Sequence, residues 1–162
     1  MKKEQLLILF VIIAVLFRLV PHPPNFAPIT ALALFSSTTF RNKIVGTLIP
    51  LLAMSISDLY LGFYSISLWV YLSFIIISSL GIFWKEVKTK NVLISSILFF
   101  IVTNFGVWLL GYPKTINGLI LCYTVAIPFF GYSILGDLFF YNLLKYSFSY
   151  TESKLKLSEK LS

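Results

Sequence analysis

"RLVPHPPNFAPIT" (residues 18–30) gathers an arginine, a histidine, an asparagine and four prolines between two apolar runs. Pro21, Pro23 and Pro24 lack N–H donors and disfavour helix in the residues before them, so the first apolar run must end here. Pro28 suits the first turn of a following helix, where a missing N–H costs little. In a chain this apolar, a polar and non-helical stop needs cover. Backbone at membrane depth is tolerated only where protein or water surrounds it. The stretch therefore predicts a loop that is tucked into a helical bundle or lines a cavity at its mouth.

The rest of the 162 residues supports a membrane setting. The apolar share is 58% and the charged share 12%, about half of the ~25% usual in soluble domains. Mean hydropathy is +0.90. Six apolar runs follow one another: Gln5–Val20, Phe26–Phe40, Ile44–Gly62, Ile66–Trp84, Val92–Gly111 and Ile116–Leu144. A crossing helix needs about 20 such residues, while barrel strands are about ten long and alternate. The reading is an all-α integral membrane protein, a six-transmembrane-helix bundle. Residues 1–146 form one domain and 147–162 a polar, basic cytoplasmic tail. The second run is short. The sixth is long and carries Gly118, Pro128, Gly131 and Gly136, which predicts a kink or break. Lys2 and Lys3 before an apolar run resemble a signal peptide, but no small-x-small cleavage site follows, so the first helix is read as retained.

The net charge of +7 is clustered between the runs. Six crossings place eleven Lys and Arg on one side, among them Lys2, Lys3, Arg41, Lys43, Lys85 and Lys145, and leave only Arg18 and Lys114 on the other. By the positive-inside rule both termini are expected to be cytoplasmic. Charge that orients loops is not a nucleic-acid surface. The single Cys122 excludes an intrachain disulfide, and the single His22 excludes a histidine-rich metal site. No nucleotide-binding, metalloprotease or serine-hydrolase motif is present. The expectation is a non-enzyme without a cofactor.

Polar groups in the apolar runs carry the functional signal, because an Asp at the bilayer centre costs about 2.5–3.5 kcal/mol on insertion scales. Arg18, His22, Asn25, Asp58 and Asn104 all map to the outer half. Arg18 and Asp58 fall at similar depth and can pair. Two readings stand for each: a solute-binding site in which Phe26 and Phe105 add apolar walls, or a structural role, with Arg18 snorkelling and Asn104 bonding between helices. Asp137 is read as structural, near the inner interface and Lys145. Most of the Trp and Tyr fit an interfacial belt. Ala27, Ala31 and Ala33 give the second run a small-residue face for close helix approach, internal or against a partner.

"NFAPITALALFSSTTF" and "IPLLAMSISDLYLGF" resemble the second and third spans of the substrate-binding S components of energy-coupling factor (ECF) transporters. "RLVPHPPNFAPI", "TNFGVWLLGYP" and "CYTVAIPFFGYSILGDL" are similar to a set of uncharacterised bacterial membrane proteins. The resemblance implies a six-helix cup that binds a vitamin-like solute from outside and docks, through a small-residue face such as Ala27 and Ala31, on a coupling transmembrane subunit with ATPases. The alternative from another class is a structural or assembly membrane protein without a ligand.

The orientation has a direct check. With Cys122→Ser as background, Thr115→Cys should react with a membrane-impermeant maleimide added outside intact cells, and Ser158→Cys should not. Labelling of Ser158→Cys alone would reverse the topology.

Overall fold

A computed structural model describes the backbone over residues 3–84 and 86–161 and most side chains between Gln5 and Ser153. Lys2 and Lys85 of the orienting basic set lie outside the described residues, as do the side chains of Lys3, Lys154, Lys156 and Lys160. Six helices are described: α1 (Lys3–Leu19), α2 (Ile29–Thr39), α3 (Lys43–Leu61), α4 (Ser67–Trp84), α5 (Thr89–Gly111) and α6 (Ile116–Leu161). Four of them, α3 to α6, are long and apolar enough to cross a membrane.

The outside of the chain is largely apolar, and its interior adds buried polar groups to an apolar core. On α3, Ile44, Leu48, Leu52, Ile56 and Leu59 are exposed at helical spacing, whereas Ser57 and Asp58 are buried. Likewise α4 and α5 bury Ser73, Ser78, Ser95 and Ser96. Water would penalise so much exposed aliphatic surface, whereas lipid tolerates it.

The second run departs from expectation. Only 11 residues are helical, a rise of about 16 Å at ~1.5 Å per residue, roughly half the hydrocarbon thickness. Yet α2 packs against all five other helices. Ala31, Leu32, Ala33 and Leu34 are fully buried, as are Ser36 and Ser37. It is the short central post of the bundle and not a lipid-facing span.

Small side chains make that position possible. The Ser36 hydroxyl donates to the Gly46 carbonyl at 2.6 Å. A Cβ on Gly46 would lie 2.6 Å from the Ser36 carbonyl oxygen, so α2 and α3 touch backbone to backbone there. The corner between them is capped from both sides. Asn42 Oδ1 accepts from the N–H groups of Ile44 and Val45 at 3.0 and 3.3 Å. Lys43 Nζ donates to the carbonyls of Ser37 and Thr38 at 3.0 and 3.3 Å, satisfying the end of α2.

The sixth helix also differs. It runs unbroken through Pro128 for 46 residues, about 69 Å, far beyond the ~30 Å hydrocarbon layer. Beyond Gly136 the sequence holds neither glycine nor proline. Nothing ends the helix at Leu144, and residues 147–161 continue it.

Helix contact at Gly46 is testable. Gly46→Ala should destabilise the protein by about 1–3 kcal/mol, because the overpacked methyl meets rigid backbone. Gly131→Ala, where a Cβ meets nothing within 4 Å, should change stability by no more than about 0.5 kcal/mol. Denaturant unfolding of the two variants in detergent measures both.

Candidate functional site

Helix α1 ends at Leu19, where the prolines begin, and Arg18 therefore sits in its last turn. Asp58 occupies the last turn of α3, whose end is marked by Gly62 in a left-handed conformation at φ 95°. The Arg18 guanidinium is ion-paired with Asp58 Oδ1. Tyr71 of α4 donates its hydroxyl to Asp58 Oδ2 at 2.8 Å and lies 3.3 Å from Ser55 Oγ. Both carboxylate oxygens are thus used, and three helices meet at one buried charge. The Arg18 side chain is 19% exposed and the Asp58 side chain 5%.

The loop from Val20 to Pro28 dips into the bundle from this point. A Cβ on Gly136 of α6 would lie 3.0 Å from the Phe26 Cα, which shows how closely the loop rests on α6. Asn25 turns the chain with φ 63°, a left-handed conformation that Asn tolerates better than most residues. His22 stacks on Phe17 at 5.3 Å, and its Nε2 is buried without a partner, as is Arg18 Nε. Loop and helices enclose a cavity of about 300 Å³, at the lower bound of the ~300–1,000 Å³ typical of small-molecule pockets. Its mouth lies between the Pro-rich loop and Gly62, Tyr64 and Ser67. Its walls are mainly apolar, with Ile29, Met54, Val70, Phe74 and Phe99, and its far end reaches Ser133 and Asp137.

Of the residues singled out from the sequence, Arg18, His22, Asn25 and Asp58 line this cavity together, with Ala27 beside them. The others do not. Phe26 packs behind the wall against Phe139 and Phe140 at 6.0 and 5.6 Å. Asn104 folds back on its own helix, its Nδ2 donating to the Phe100 carbonyl at 2.8 Å. Phe105 is 40% exposed and meets Trp69 and Trp108. Neither Asn104 nor Phe105 is part of the cavity lining. Ala31 is 0% exposed, so the small-residue face that includes it is covered by the chain's own helices.

Sequence reasoning missed Tyr71, Thr30 and the placement of Asp137. The Asp137 carboxylate is 3% exposed and accepts from Ser96 Oγ at 2.6 Å. Thr30 at the start of α2 adjoins it. Lys145, the cation expected nearby, instead lies over the Tyr141 ring at 5.8 Å. The signal was in the sequence, since a carboxylate inside "AIPFFGYSILGDLFF" needs a partner. What it lacked was the depth at which α2 begins.

Residues 1–159 match the family described as "Family of unknown function (DUF6580)". The chain belongs to that family. No curated protein and no solved structure matches it. The DUF6580 match covers α1 to α5 and α6 up to residue 159, so the cavity and its lining fall wholly within the family's extent.

The Arg18–Asp58 pair makes a specific demand. Arg18→Ala leaves a nearly buried carboxylate without its cation and should cost about 2–4 kcal/mol, somewhat under a fully buried pair because water still reaches the arginine. The double variant Arg18→Gln/Asp58→Asn removes both charges and should be more stable than Arg18→Ala. Unfolding of the two variants beside the unaltered protein checks the order, and equal losses would show that the pair contributes no coupling.

Proposed function

We propose that this protein captures a small solute from the outer face of a bacterial inner membrane, with both termini cytoplasmic. In this reading it is a substrate-binding component similar in role to the S components of ECF transporters. One observation carries the proposal: the cavity of about 300 Å³ at the Pro-rich loop, into which charged and hydrogen-bonding groups converge among apolar walls. That combination of a mostly apolar hollow and a few convergent polar groups is what small-molecule sites require.

The division of labour follows from the geometry. The Arg18–Asp58–Tyr71 cluster closes the mouth side and holds α1, α3 and α4 together. His22 and Asn25 line the same region. Ile29, Met54 and Phe74 give the solute's body an apolar surface. Moving a captured solute onward requires energy from a coupling transmembrane subunit and its ATPases. Such a subunit has to meet an outer face of the bundle, since Ala31 is enclosed.

Native mass spectrometry tests the reading. Protein purified from membranes in mild detergent should release a small-molecule adduct on activation, and folded His22→Ala should release less of it. A tagged preparation should also bring down an ATPase. Finding neither adduct nor ATPase would leave a helical scaffold and contradict solute capture.

A further inference from the structure

The cavity's charges do not balance. Arg18 is the one cation in its lining and is committed to Asp58, leaving the Asp137 carboxylate at the far end. Ser96 and Thr30 offer Asp137 hydroxyl dipoles but no charge. Among the described residues the ion pairs are Arg18–Asp58 and Lys88–Glu86, so Asp137 has none. Of the other described cations, Lys43 caps α2, Lys114 donates to the carbonyls of Trp108 and Tyr112 at 2.8 Å each, Lys88 pairs with Glu86 and Lys145 lies over the Tyr141 ring. A carboxylate buried in an apolar bundle is neutralised by a proton or by a cation, and this one meets two hydroxyls and a hollow but no cationic side chain.

We infer that the solute is a small organic cation whose ammonium or amidine group is received by Asp137; this rests on the solute-capture reading. The walls fit such a guest. Phe74 and Phe99 stand with ring centroids 5.2 Å apart and both line the hollow. Aromatic faces attract a cation and also cover an apolar body. The Ser96 and Thr30 hydroxyls orient the carboxylate, and Ser133 adds an acceptor at the same end. An anionic solute would meet one positive and two negative groups, with the positive one already paired.

The whole chain in lipid nanodiscs at neutral pH should be titrated with three probes of nearly equal shape: benzylamine, benzyl alcohol and benzoate, followed by ligand-detected NMR. Benzylamine should bind at least about tenfold more tightly than benzyl alcohol, a difference expected from one added charge contact, and benzoate should bind worst. Asp137→Asn should erase the preference for the amine while leaving benzyl alcohol binding nearly unchanged. If that variant does not fold, the order of the three probes on the unaltered protein decides the matter by itself. Equal binding of amine and alcohol means that a proton neutralises Asp137, which overturns the cation assignment and leaves solute capture standing. Tightest binding by benzoate has the same consequence. Binding by none of the three overturns both.

Discussion

One ion pair organises the end of this bundle at which α1 and α3 stop. Arg18 at the end of α1 and Asp58 at the end of α3 neutralise each other, and Tyr71 of α4 occupies the second carboxylate oxygen. In a medium of low dielectric neither charge is tolerable alone. The pair therefore fixes where α1 must stop relative to α3. The prolines after Arg18 end the helix there and stay exposed at Pro21, Pro23 and Pro24, and the loop carries His22 and Asn25 to the wall of the cavity. The hollow exists because the loop is held at its upper end by a charge pair and at its lower end by a close rest on Gly136.

The second constraint is the size of the central helix. Surrounded by five others, α2 has no lipid-facing side, so its side chains must be small or fully packed. Alanines and serines meet that need, and Gly46 lets α3 approach the Ser36 backbone directly. Because α2 is short, its first turn lies deep in the bundle instead of at the outer surface. That depth brings Thr30 next to Asp137, and Asp137 next to Ser96, two turns into α5. A short post thus leaves room above itself, and the cavity occupies that room.

Much of this was legible in the residues. Six helices, and the approximate limits of all but the sixth, follow from hydrophobic runs and proline placement. The pairing of Arg18 with Asp58 follows from the cost of charge and from equal depth in adjacent runs. What escaped was anything that depends on three-dimensional depth. Counting along α6 placed Asp137 beside Lys145, whereas the carboxylate meets Ser96 and Thr30 and Lys145 lies over the Tyr141 ring. Small residues on α2 carry the same composition whether they face a partner or the molecule's own interior, and the interior prevailed because five helices surround that segment. Asn104 was ambiguous for another reason: an amide in a helix can bond to the carbonyl four residues back, and here it does.

The ECF-like role extends this physical picture and is separable from it. The charge pair, the loop and the post stand in this chain with or without an ATPase. An experimental density map of the protein in a lipid nanodisc tests the central claim most directly. The account predicts a hollow beneath the Pro-rich loop, with Arg18 on Asp58 at its mouth, Asp137 at its far end, and non-protein density between them. Continuous side-chain packing through that volume, with Arg18 turned out to the headgroups, would contradict it.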